Sequence, residues 1–454
     1  MKPLKQYLQE TAVSGLISYL ERNPEKNLAN IMAFGRRLAI NPNHKKLAES
    51  VERYVLDKNS NWHHFTMGIF RDIHPNVIKR MGINFFVNAT LYGVPKQQEA
   101  EKELGVGVPW AILMDPTEAC NLRCKGCWAG DYTRAHQLSF DLMDRICTEA
   151  KELGIYFIVL SGGEPTVRKD DIFKLAEKHN DMVFHLFTNG TLIDEDFADK
   201  MVKLGNVTVA VSIDGLEEST DYRRGKGVFQ KVMRAMDIMR EKGAVFGFST
   251  TYTRLNTEEV ASDEFIDLMI EKGARFGWYF TYIPVGAESD LEFMATPEQR
   301  KYMYERVNQI RATKPLFVVD FWNDGEASNG CIAGGRRYFH INAMGDIEPC
   351  AFIHYANDNI KDMSLKEALK TPIFRSYQKR QPFNTNLLRP CPLIDNPEML
   401  RDIVIESGAH NTQEHDDTDI RILADKLKDY SEAWGEVSGE IWSEKEKIKN
   451  DMAG

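Results

Sequence analysis

The chain has 454 residues, 43% of them apolar and 27% charged, with a formal net charge of −10. This length suits one large domain with additions, or two to three domains, and the composition is that of a globular protein. The acidic balance argues against a general nucleic-acid binder, and seven cysteines, three of them crowded together, argue against a disulfide framework.

Residues 1–105 read as helical. Leu16, Ile17, Tyr19 and Leu20 begin an amphipathic series that Leu28, Ile31, Met32, Phe34 and Leu38 continue. No signal peptide is expected from Met1-Lys2-Pro3-Leu4-Lys5, which leads into an amphipathic pattern. The apolar stretch from Ile83 to Val94 is broken by Asn84, Asn88 and Thr90 and is too short to span a bilayer. A cytoplasmic chain without a transmembrane segment is expected. Two roles fit the segment: a helical subdomain packed on the next domain, or a patch flanked by Lys79, Arg80 and Lys96 that touches a membrane surface and presents an apolar substrate.

From Pro109 short β-rich runs alternate with helical ones. Strands are expected at 111–114, 156–160, 183–187, 207–213, 245–250 and 276–283, with helices at 140–153, 171–179, 195–204, 229–242 and 262–272. Six such repeats of roughly thirty residues predict an α/β fold, a partial (β/α)6 TIM-like barrel over 106–315. The active site of such folds lies at the C-terminal strand ends.

The short motifs fall at those ends. After the first strand come Cys120, Cys124 and Cys127, three thiols on one loop. Such a loop can aim them at an iron–sulfur cluster or a zinc ion and leave one coordination position open. After the second come Gly162, Gly163 and Glu164, after the third Thr188 and Asn189, after the fourth Ser212, and then Arg224 before a glycine. In this order the motifs resemble those of the radical SAM superfamily. The resemblance implies that Cys120, Cys124 and Cys127 hold a [4Fe-4S] cluster and that S-adenosylmethionine (SAM) chelates its fourth iron. It also implies that Gly162, Gly163, Glu164, Thr188, Asn189, Ser212 and Arg224 contact SAM. One departure stands out: the family usually has an aromatic before the third cysteine, where this chain has Gly126, with Trp128 just after. Cys147, on an amphipathic helix, reads as core.

Beyond 315, two alternating strands around Met344-Gly345-Asp346 form a hairpin with Cys331 and Cys350 at its ends, and Cys391 follows between two prolines. A helix is expected at 364–369. This region, 316–398, resembles a SPASM/twitch-like hairpin-plus-helix domain, which implies an auxiliary iron–sulfur cluster on Cys331, Cys350 and Cys391. Three cysteines leave its fourth iron for substrate, water or a ligand such as His354; zinc or plain buried thiols stay open for the same set. Residues 399–454 read as an acidic helical tail closing over the domain.

The resemblance implies an anaerobic metal-binding enzyme. It would reductively cleave SAM to a 5′-deoxyadenosyl radical and abstract hydrogen from an unactivated C–H bond of a peptide, protein or small molecule. A flavodoxin or ferredoxin would serve as electron donor. A radical SAM enzyme acting on a lipid or another long apolar chain is the alternative within the family. A non-catalytic iron–sulfur electron-transfer protein is the alternative outside it.

Overall fold

The computed structural model describes residues 4–38, 49, 51–129, 135–286, 289–414 and 418–453; the side chains of Phe34 and Leu38 fall outside that description. The N-terminal region forms the helices Leu4–Arg22, Pro24–Leu38, Asn61–Asp72, Pro75–Met81 and Val94–Leu104, with a π-helical segment Gly82–Gly93. Their starts are encoded locally. Ser60 accepts from the Trp62 N–H, and His74 caps the helix whose first residue is Pro75. The asparagines that interrupt the apolar run bond to backbone ahead of the third strand. Asn84 donates to the carbonyls of Asn180 and Met182 at 2.9 Å, and Asn88 to that of Asp181 at 3.0 Å. The helices thus close the end of the barrel opposite the motifs, leaving Phe86 and Leu91 exposed. Among the described residues no helix is long and apolar enough to cross a membrane.

The six expected strands are present, the first as expected and the others with ends shifted by no more than two residues: β1 (Ala111–Met114), β2 (Phe157–Leu160), β3 (Val183–Thr188), β4 (Val207–Ser212), β5 (Phe246–Tyr252) and β6 (Phe276–Thr281). Neighbours pair in parallel in chain order. Alternate residues such as Val207, Val209, Val211, Phe246 and Phe248 are buried in the core cluster with the outer helices, and their neighbours face the barrel interior. Cys147 is fully buried in the helix Phe140–Glu152.

Three strands beyond residue 315 also belong to this sheet. Phe317–Asp320 (β7), expected past the barrel, pairs in parallel with β6. Tyr338–Ile341 (β8), the first strand of the predicted hairpin, pairs in parallel with β1. Ile347–Glu348 (β9) returns antiparallel to β8, giving the order β7-β6-β5-β4-β3-β2-β1-β8-β9. A four-residue apolar run carries no information about its partner, so pattern alone could not attach either strand to the barrel. The tail forms the helices Pro397–Ser407 and Ile420–Ala453. Trp434 on the latter is fully buried; its indole N–H donates to the Leu388 carbonyl at 3.0 Å and its ring lies 4.1 Å from the Arg300 guanidinium.

Candidate functional site

The cysteine loop leaves β1 through Asp115, and its backbone is held from both sides. Ser161, Gly163 and Glu164, after β2, donate their N–H groups to the carbonyls of Met114 (3.1 Å), Thr117 (3.0 Å) and Ala119 (2.8 Å). The two glycines are required by this closeness. A Cβ at Gly162, whose φ is +98°, would stand 2.6 Å from the Thr117 oxygen; at Gly163 it would stand 2.2 Å from that of Glu118. On the far side the Lys125 N–H donates to the Arg223 carbonyl at 2.9 Å, Arg223 Nη2 donates to the Gly126 carbonyl at 3.4 Å, and Lys125 Nζ sits 3.5 Å from the Tyr222 ring centre. Asn121 bridges to the end of β3: its amide donates to Thr191 Oγ1 and accepts from Asn189 Nδ2, both at 2.8 Å.

Cys120, Cys124 and Cys127 are half-buried on this loop. Burial pushes the Cys120 thiol up to about 11 against the pull of the Leu122 N–H, and Glu164, Cys124 and Cys127 add to the rise. Burial also raises Cys127, which senses Cys124 on one side and the Arg223 and Arg224 guanidiniums on the other. Three thiols therefore share one electrostatic pocket beside two cations. Sulfur donors gathered in this way suit an iron–sulfur cluster. Among the described residues no group of three or more His, Cys, Asp or Glu side chains is set to hold a single metal ion; a four-iron cluster, several atoms across, takes its thiolates from wider apart.

Glu164 is buried and ties the ends of β2 and β3 together. Its Oε1 accepts from Thr166 N (3.0 Å), Thr166 Oγ1 (2.5 Å) and Thr188 Oγ1 (2.6 Å), and its Oε2 from the Asn189 N–H (2.7 Å). Burial raises this carboxyl against those four donors, and Oε2 retains a lone pair for one more. The described bonds of the Asn189 side chain all go to Asn121 and Thr191. Ser212 ends β4 half-buried, its hydroxyl without a hydrogen bond among the described residues. Beyond it, fully buried Asp214 accepts from Arg223 Nη1 at 2.8 Å and Arg224 Nε at 2.7 Å. Burial pulls the Asp214 carboxyl up, but the two guanidiniums outweigh it and bring it down to about 2. Among the described residues only Nε of Arg224 is used, so its two Nη groups are left to form the bidentate fork that a carboxylate accepts.

The missing aromatic before the third cysteine has a steric reason. Gly126 has φ +61°, and a Cβ there would stand 2.6 Å from the Tyr282 ring, so Tyr282, just past β6, fills that space. Trp128 turns toward the C-terminal hairpin instead. It lies parallel to His354 (6.3 Å between ring centres, 10° between planes), 5.5 Å from Phe352 and 6.1 Å from His340. Buried His340 sits between two carboxylates, with Nε2 at 2.9 Å from Asp115 and Nδ1 at 2.6 Å from Glu348. Burial opposes its charge, and the two carboxylates override that and hold it well above the usual imidazole range. An ion-paired histidine thus links the residue that opens the cysteine loop to the hairpin strand before Cys350.

The C-terminal cysteines also converge. Cys331 Sγ lies 3.2 Å from the Tyr377 hydroxyl, Cys350 Sγ 2.8 Å from that of Tyr338, and Cys391 Sγ accepts from the Leu393 N–H at 3.4 Å. Burial raises all three, Cys350 to about 12, and Cys331 is felt by both Cys350 and Cys391. The described contacts of His354 go to Trp128 and Glu348, not to a thiol.

This geometry has counterparts in known proteins. The sequence profile of the Radical SAM superfamily matches residues 114–269. The mycofactocin maturase MftC of Mycolicibacterium smegmatis is 30% identical over 273 residues, covering 57% of this chain and 68% of that protein. The chain belongs to the radical SAM superfamily. The AdoMet-dependent heme synthase of Methanosarcina barkeri is 25% identical over 286 residues, covering 57% of this chain and 81% of that protein. Among solved structures, Streptococcus suis SuiB bound to S-adenosylmethionine superposes with a TM-score of 0.55 at 18% identity, over 76% of this chain and 87% of SuiB, a likeness of fold. This radical SAM enzyme therefore has a [4Fe-4S] cluster and SAM as its family's cofactors. The sequence did not single out Asn121, Asp214, Arg223, Tyr282 and His340. Asn121 lies within the cysteine motif, where its position was the available signal. Asp214 and Arg223 adjoin Ser212 and Arg224 in the motifs already read, whereas Tyr282 and His340 are brought to the site by strands distant in sequence.

Proposed function

We propose that Cys120, Cys124 and Cys127 hold the [4Fe-4S] cluster, that Glu164 and Arg224 bind the amino and carboxylate groups of SAM, and that the enzyme abstracts hydrogen from a C–H bond of a peptide, protein or small-molecule substrate. One observation carries this reading: the thiols, the spare lone pair of Glu164 and the unused Nη groups of Arg224 meet at the C-terminal ends of β1, β2 and β4. The chemistry supplied there by a bound cluster and SAM is one-electron cleavage of SAM to a 5′-deoxyadenosyl radical, with a flavodoxin or ferredoxin as electron source. The chain orients and shields. Gly162 and Gly163 let the β2 turn seat against the cysteine loop, Asp214 aims Arg224, and the barrel wall keeps water from the reacting group. Printed names of relatives and neighbours support a peptide substrate, since MftC is a maturase and SuiB was solved with its precursor peptide SuiA.

Cys331, Cys350 and Cys391 hold the auxiliary cluster in this reading, with residues 316–398 as its domain, 106–315 as the barrel unit, 1–105 as the helical cap and 399–454 as the tail. The test is anaerobic turnover with dithionite: Cys124→Ala should make no 5′-deoxyadenosine, because two thiols hold a cluster poorly. Parental SAM cleavage by that variant would sink the assignment.

A further inference from the structure

From β2 to β6 the barrel interior carries rings and hydroxyls and no charge. Strands β2 to β6 contain no Lys, Arg, Asp or Glu. In a parallel sheet, residues paired in register share a face. Phe187 of β3 lies beside Ala210 of β4 and Gly247 of β5, and Trp278 of β6 lies beside Ser249 of β5. These small intervening residues let the rings of β3 and β6 meet across the barrel. Phe187 is 6.0 Å from Trp278 and 5.7 Å from Phe280, which stacks on Phe321 at 4.8 Å. All four are only half-buried, whereas Phe248 and Tyr279, on the helix-facing side of the same sheet, are fully buried. The interior rings therefore keep free faces.

One row nearer the barrel floor are His185 and its register partner Thr208, 3% and 6% exposed. Among the described residues His185 Nε2, Thr208 Oγ1 and the Trp278 indole N–H have no hydrogen-bond partner. Burial alone pulls the His185 imidazole down to about 3, so it is neutral. Unpaired buried polar atoms are costly to maintain, and nothing in the reading above uses these three.

We propose that this chamber receives the substrate and that the group it takes is an uncharged, flat aromatic ring with a hydrogen-bonding edge, held between Phe187, Trp278 and Phe280 and met by His185 and Thr208. The proposal rests on the assignment of the strand ends to SAM, which sets the chamber beneath the reactive centre. Flat rings satisfy both features of the chamber, since they stack on aromatic faces and offer polar edges. A saturated hydrocarbon chain would leave the three polar atoms unpaired, and a carboxylate-bearing group would find no cation on β2 to β6. His185 Nε2 and Thr208 Oγ1 lie one row below the rings, so the ligand reaches them by parting Phe187 from Trp278, a side-chain change common on binding.

The test is calorimetric binding of N-acetyl-tyrosinamide, N-acetyl-phenylalaninamide and N-acetyl-leucinamide to the reconstituted full-length protein with SAM. The tyrosine probe should bind about tenfold tighter than the leucine probe, with phenylalanine between. His185→Leu should bring tyrosine down to the level of phenylalanine while His185→Gln retains the difference, and Trp278→Leu should abolish the preference for either ring. Should Trp278→Leu fail to fold, the His185 pair decides alone. Equal binding of leucine and tyrosine probes, no ring-dependent binding, or a preference for tyrosine over phenylalanine that survives His185→Leu overturns the proposal. Measuring 5′-deoxyadenosine on the same preparations separates the two readings. SAM cleavage without ring preference refutes this proposal only, and ring preference without SAM cleavage refutes the cofactor assignment while supporting the chamber.

Discussion

Asp214→Asn probes the strand end where two buried guanidiniums depend on one carboxylate. Asp214 is fully buried, and Arg223 and Arg224 are 6% and 9% exposed. The carboxyl falls from 3.8 to about 2 despite its burial, a net preference for the charged form of about 2–3 kcal/mol in the fold. Neutralising it leaves two cations without a counter-ion, for which a loss of about 3–5 kcal/mol is expected at pH 7. Arg223 also bonds the Gly126 carbonyl and receives the Lys125 N–H at its own carbonyl, so the cysteine loop should loosen and SAM affinity should fall with stability. The pH dependence has a definite sign. The folded value lies below the unfolded one, so this group's contribution is complete above pH 3.8 and is lost as pH falls through about 2. The stability gap between parent and variant, measured by urea unfolding, should therefore be constant at neutral pH and close across that acid window. Equal stability at pH 7, or a gap unchanged by acid, would refute the reasoning.

Other expectations follow from the same contacts. Gly163→Ala must displace the Glu118 carbonyl by about 1 Å to reach ordinary contact; iron content and SAM affinity should drop together while the far-ultraviolet spectrum stays parental, and full iron loading with normal SAM binding would count against the seating role. Glu164→Ala and Arg224→Ala each remove a charge-assisted hydrogen bond, so SAM affinity should weaken roughly ten- to hundredfold, checked by calorimetry; parental affinity in both would sink that assignment. The triple variant Cys331/Cys350/Cys391→Ala should reduce iron from about eight to about four per chain by iron analysis and Mössbauer spectra, and wild-type protein with about four irons would leave the hairpin without a cluster.

The sequence by itself determined the parallel strands, the helices between them and the motifs at their ends. Each of those signals is local. Alternating apolar runs such as Val207–Ser212, an amphipathic helix such as Phe140–Glu152, and three cysteines within eight residues can all be read without knowing what lies across the fold. The hairpin bearing Cys331 and Cys350 was legible for the same reason. Tertiary structure decided the rest. Phe317–Asp320 and Tyr338–Ile341 are short apolar runs whose pairing with β6 and β1 depends on which sheet edge lies open. That Gly126 replaces an aromatic follows from Tyr282, a residue more than a hundred positions on. His340 finds Asp115, and Arg223 finds Gly126, across long separations along the chain, the second of them 97 residues. A sequence pattern reports which faces of an element are apolar; ion pairs, close backbone approaches and the rings that meet across the barrel exist only once distant strands have been brought side by side, because their energies depend on separation in space and not along the chain.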